Sequence, residues 1–150
     1  MNHKSSHIYE NALKLSLQPV DNSLVKLSLQ SKHQPQFYKN SNKIAVIVDP
    51  RYDDIMEAVI KNFMYYMGPK EWNLLIISSE KYEAQIRETF PYALFLKIDE
   101  KLIYYSNNQP NINISTYNNI FLSQQFWNSI PVEHIAIFQK DCVMFNMFNE

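Results

Sequence analysis

An α/β domain with a mostly parallel sheet and flanking helices is the fold this sequence predicts, and three observations predict it. Lys43 to Asp49, Trp72 to Ser78 and Ala93 to Ile98 are short apolar runs rich in aliphatic residues, the pattern of strands covered on both faces. Between them lie stretches with apolar residues at helical spacing, so strand and helix alternate and parallel strands joined by right-handed crossovers follow. A further run, His134 to Phe138, ends abruptly in Gln139-Lys140-Asp141. In open α/β sheets the crevice beyond the carboxyl ends of the strands is where ligands sit.

Composition narrows the function. The 150 residues suffice for one core, and the formal charge of −1 lacks the basic excess of a nucleic-acid surface, so no nucleic-acid partner is expected. The single cysteine permits no internal disulfide, which points to a reducing, cytoplasmic setting. No apolar run approaches the roughly 18 residues of a spanning helix, so no membrane insertion is expected. The chain holds one glycine, where average usage gives about ten. A GxGxxG turn, a Walker A loop and a G-x-S-x-G elbow are therefore excluded. Any nucleotide must be held by side chains, a metal or ordinary helix N-termini.

Residues 1–42 read as a polar segment. Leu13-Lys-Leu-Ser-Leu-Gln18 and Val25-Lys-Leu-Ser-Leu-Gln30 are near copies that alternate apolar and polar, which predicts a small β-hairpin turned at Pro19 and Asp21-Asn22-Ser23. Ser31 to Asn42 reads as a linker. His3, His7 and Glu10 have the spacing of a helical metal site, although a polar terminus is more often solvated.

Residues 43–150 form the main domain. Pro50 ends the first strand. Asp54 is the expected N-cap of the first helix, with Glu57 three residues on. Ile55, Met56, Val59, Ile60, Phe63, Met64 and Met67 trace its apolar face, and Gly68, with φ > 0, and Pro69 stop it. Ser79 or Glu80 opens a second helix whose face is Tyr82, Ile86 and Phe90. Ser106 to Pro110 reads as a polar loop. Ser115 caps a helical stretch to about Ile130, broken near Ser123 and ended by Pro131. Tyr65, Tyr66, Phe126 and Trp127 are expected in the core, and Cys142, with no histidine beside it, as a small hydrophobe. Val143 to Phe148 predicts a final strand whose bare edge would pair with a second copy or a partner chain completing the sheet.

Chemistry concentrates at strand ends. Asp49 and Asp141 each follow a parallel strand and should share one edge of the sheet. Arg51 is suited to meet a phosphate, or equally to pair with Asp53 or Asp54. A carboxylate at the end of a buried strand needs compensation, and Lys140, adjacent to Asp141, should project to the opposite side. Asp49, Asp99 and Lys140 also resemble the phospho-acceptor set of receiver domains. Pro50, and an Asn-rich span where a strand is needed, oppose that reading.

The stretches Lys43-IAVIVDP-Arg51, Val59-IKNFMYYMGPKE-Trp72 and Tyr117-NNIFLSQQFWNSI-Pro131, leading into Ile137-FQK-Asp141, resemble a family of uncharacterised glycosyltransferase-like domains of fungi, bacteria and large DNA viruses. That family is similar to the GT-A class. The resemblance implies a Rossmann-related, GT-A-like fold and metal-assisted glycosyl transfer from a nucleotide-sugar donor. It implies Asp141 as the catalytic residue and ligand of a divalent cation, Mn or Mg, and Gln139 in place of the first Asp of the usual Asp-x-Asp motif. Asp49, Arg51, Asn62 and Gln139 would then contact the donor. Family members continue past the Phe-Gln-x-Asp strand, so this chain is expected to be a truncated, donor-binding half. The alternative is a non-catalytic, degenerate paralogue that binds a nucleotide or a protein.

Overall fold

The computed structural model describes residues 41–130 and 132–145. The expected hairpin and most of the linker, the His3, His7 and Glu10 spacing, Pro131 and the end of the expected last strand lie outside these residues.

β1 (Lys43–Val48) is wholly apolar after its first residue and nearly all of it is buried. Pro50 follows at once, and Asp53, in an extended conformation, caps α1 (Asp54–Met67) by accepting from the Met56 amide. The cap is thus one residue earlier than Asp54, because the residue that caps must itself lie outside the helix. Gly68 departs from expectation too. Its backbone is right-handed helical and opens a 3₁₀ turn to Lys70, while Glu71 takes the left-handed conformation at φ 63°. β2 (Asn73–Ser78) is buried throughout. Ser79 caps a 3₁₀ turn that leads into α2 (Glu83–Thr89), and β3 (Leu94–Lys97) follows.

The span expected as a polar loop is a hairpin. β4 (Tyr104–Ser106) and β5 (Gln109–Asn111) pair antiparallel, and Asn107 and Asn108 both adopt positive φ, as a two-residue type I′ turn requires. Asn113, not Ser115, caps α3 (Ile114–Leu122). Ser123 breaks the helical stretch with an extended backbone and caps α4 (Gln124–Ser129). β6 (His134–Phe138) completes the sheet.

β1, β2, β3 and β6 form one all-parallel sheet in the order β3-β2-β1-β6. α1 and α2 cover one face, meeting Ala45, Ile47, Leu74, Ile76 and Phe138. α3 and α4 cover the other, where Ile120 and Phe126 meet Ile44, Val46, Leu75 and Ile77. The expected α/β fold is therefore present, a doubly wound sheet with a separate small hairpin. The chain moves outward from β1 to β3, then returns across the other face to place β6 on β1's free side. Its strand order reverses at that point. A receiver domain flanks its first strand with the second and third, so this topology excludes that reading.

Among the described residues β6 is an edge strand, half-exposed rather than covered on both faces; the enclosed strands are β1 and β2. Val143 to Phe145 continues in irregular conformation, not as a strand. Of the aromatics expected in the core, Phe126 is buried, whereas Tyr65 and Trp127 are exposed.

Candidate functional site

A cleft of about 750 Å³ opens at the carboxyl ends of β1 and β6, where the strand order reverses. Crevices of open α/β sheets bind ligands at this topological position. Val48, Asp49, Pro50 and Arg51 line one side, Gln139, Lys140 and Asp141 another, and Asn111 to Ile114 with Tyr117 and Asn118 the wall from β5 and α3. Four of the sequence-predicted residues, Asp49, Arg51, Gln139 and Asp141, therefore come together. Asn62 is not among the lining residues.

Asp49 is buried and fully engaged. Its Oδ1 accepts from the Arg51 amide at 2.8 Å and from Nε at 3.0 Å, and Oδ2 accepts from Nη2 at 3.0 Å. Pro50 makes this possible, since its fixed φ turns the chain so that Arg51 folds back on Asp49. The hydrogen bond to Asp49 raises the Arg51 guanidinium above its ordinary value, and burial opposes the effect only in part. Arg51 is thus oriented by a bidentate pair, the geometry that gives arginine its directional hold on phosphates.

Lys140 bridges two elements. It pairs with Asp53, the α1 cap, which already accepts from Met56 N–H. Burial pushes the Asp53 carboxyl up, but the Lys140 hydrogen bond and the Met56 amide outweigh it and leave its pKa below the usual value. Sequence reasoning sent Lys140 away from the site's carboxylates. The Lys side chain is long enough to reach the neighbouring helix, and the cap misplaced at Asp54 concealed its partner.

Asp141 is exposed, in the turn after β6. Its one hydrogen-bonding contact among the described residues is a weak one from the Cys142 thiol at 3.8 Å. The expected desolvation of a buried strand end does not arise, because the edge strand leaves its terminus open to water. Gln139 donates from Nε2 to the Tyr117 hydroxyl at 3.0 Å, which leaves its amide oxygen available.

Asn62 has a different use. Its amide donates to the Met144 carbonyl at 3.0 Å and accepts from the Met144 N–H at 2.7 Å. Both backbone groups of an irregular segment are satisfied by one side chain, as a neighbouring strand would satisfy them. The segment after β6 is thereby tied to α1 at two points, Lys140–Asp53 and Met144–Asn62.

Among the described residues no group of three or more His, Cys, Asp or Glu side chains is arranged to hold a metal. With Asp49 committed to Arg51, the uncommitted side-chain oxygens at the described strand ends are those of Asp141 and the Gln139 amide. These fit a divalent cation that takes most of its coordination from a bound ligand and water, the habit of Mg²⁺ with phosphates. No helix among the described residues is long and apolar enough to cross a membrane. Comparison with known proteins returns no match, whether to a family model, a curated protein or a solved structure.

Proposed function

We propose that the cleft binds the diphosphate of a nucleotide sugar as its divalent-cation complex, and that the domain is the donor-binding part of a glycosyltransferase. One observation carries this: an arginine fixed by a bidentate carboxylate and an uncommitted aspartate stand on adjacent strand ends where the sheet order reverses. Charge supports the cation. Arg51 and Lys140 are each paired, to Asp49 and Asp53, so Asp141 is the carboxylate of the described lining that has no cationic partner. A bare diphosphate is repelled by the Asp141 carboxylate; a divalent cation between the two attracts both. Asp141 would hold the cation with the Gln139 amide oxygen beside it, and Arg51 would offer its remaining N–H groups to the phosphates. When bound, the cation neutralises charge on the departing diphosphate.

A second reading, binding without turnover, is favoured by a specific observation. Among the described residues Asp49 and Asp141 are the only carboxylates in the lining, and no histidine or cysteine joins them. With one committed to Arg51 and the other to the cation, the described lining leaves no general base for an acceptor hydroxyl.

A thermal-shift panel of nucleotide sugars with and without Mn²⁺ tests the site. At about 100 times Kd the ligand should stabilise the fold by about 2.7 kcal/mol, and only with metal. Asp141→Asn should lose the shift while the free protein's stability stays the same, since the side chain is exposed. A shift that survives in chelator, or in the variant, removes the proposal. Mass spectrometry of the products then separates transfer from binding alone.

A further inference from the structure

Two isoleucines stand exposed on the walls of the cleft: Ile55 is 61% exposed and Ile114 is 79% exposed, and both line it. Ile55 lies in the first turn of α1 and Ile114 opens α3. Those helices pack on opposite faces of the sheet, so the two side chains approach the cleft from different layers. Their positions are set by the caps. Asp53 and Asn113 fix each first turn, and with Met56 fully buried the roughly 100° step per residue keeps Ile55 out of the core. A single exposed isoleucine means little. Two on one cleft, beside Arg51, Gln139, Lys140 and Asp141, give the site both an apolar and a charged lining.

We propose that Ile55 and Ile114 form an apolar jaw for the nucleobase of a nucleoside diphosphate whose phosphates reach Arg51 and Asp141. The inference rests on the diphosphate site proposed above and adds the part of the ligand that confers selectivity. A sugar is polar around its rim and gains little from aliphatic walls. A base has two apolar faces and one hydrogen-bonding edge. The faces suit the isoleucines. The edge suits Asn118, an exposed cleft residue whose amide offers both a donor and an acceptor. The other asparagines of that wall are partly committed, Asn111 to the Gln109 carbonyl at 2.9 Å and Asn113 to the Thr116 amide at 2.7 Å.

Calorimetric titration of the full chain in Mn²⁺ tests this, with pyrophosphate and the adenosine, guanosine, cytidine and uridine diphosphates as ligands. At least one nucleoside diphosphate should bind about tenfold or more tightly than pyrophosphate, the scale of burying one aliphatic side chain. Ile55→Ser with Ile114→Ser should remove that surplus, leave pyrophosphate affinity unchanged, and leave the melting temperature unchanged because both sites are exposed. If the double variant melts low, Ile114→Ser alone should lose part of the surplus. Nucleoside diphosphates no tighter than pyrophosphate, or a surplus that survives both substitutions, overturn the jaw while the diphosphate site stands. Failure of the native chain to bind any of these ligands overturns the diphosphate site, and the jaw with it.

Discussion

Gly68, the sole glycine of the chain, has a right-handed helical backbone at φ −56° and ψ −48°, and a Cβ there would meet only Met64 Cε, at 3.9 Å. The conformation therefore needs no glycine. Gly68→Ala should stabilise the fold by about 0.4–1 kcal/mol by restricting the unfolded chain, read as a higher denaturant midpoint; a left-handed Gly68 would give the opposite sign. Asp53 shows a different residue-scale effect. Its folded pKa is depressed, because burial is outweighed by the Lys140 hydrogen bond and the Met56 amide, so the stability it adds is present above the unfolded value and is lost as pH falls through the folded one. The group is partly exposed and the contribution small. Asp53→Asn keeps a capping side chain, so it should flatten the acid limb of a stability–pH profile. Asp53→Ala should cost about a further 1 kcal/mol through loss of the cap. Matching acid limbs in the native chain and Asp53→Asn would show that the Lys140 pair contributes nothing.

At the scale of elements, the segment after β6 is held by α1 rather than by a strand partner. Asn62 lies on a partly exposed helical face, where substitutions normally cost little. Here Asn62→Ala leaves both backbone groups of Met144 without their partner and should cost about 1–3 kcal/mol. Urea unfolding measures it, and a cost under a few tenths would show that water replaces the amide. The same substitution should weaken cation-dependent ligand binding, because Gln139 and Asp141 begin the segment that Asn62 secures. β6 is anchored on the α1 side by Phe138, which stacks on Phe63 with ring centroids 4.1 Å apart. That contact explains how an edge strand stays fixed enough to carry a site.

At the scale of the molecule, stability should fall from the centre of the sheet outward. β1 and β2 lie between two layers of helix and are buried almost throughout. The β4–β5 hairpin is a two-stranded ribbon of mostly exposed residues, an arrangement only marginally stable by itself. Amide hydrogen exchange should therefore be slowest in β1 and β2 and faster by orders of magnitude in Tyr104 to Asn111. Equal protection would mean that the hairpin is held down more firmly than its exposure implies. Since Asn111 lines the cleft, opening of the hairpin loosens one wall of the site and leaves the Arg51–Asp49 pair intact.

Much of this architecture was legible in the sequence because it depends on local chemistry. Continuous aliphatic runs specify doubly covered strands, proline stops them, and the 3.6-residue period specifies the helix faces. Asp49, Arg51, Gln139 and Asp141 could be grouped because parallel strands bring their carboxyl ends to one edge. Local pattern cannot say which strand borders which. Only the tertiary structure placed β6 beside β1 as an edge strand, and that placement left Asp141 in water where a buried carboxylate was expected. It also turned the amide of Asn62 onto the backbone of Met144, far along the chain, and let Lys140 reach Asp53. Ile55 stands four residues before buried Val59 and so is expected on the core face, yet it lies at the margin of that face and lines the cleft instead. Periodicity gives the direction of a side chain around its helix, whereas what lies in that direction is decided by the packing of elements distant in sequence.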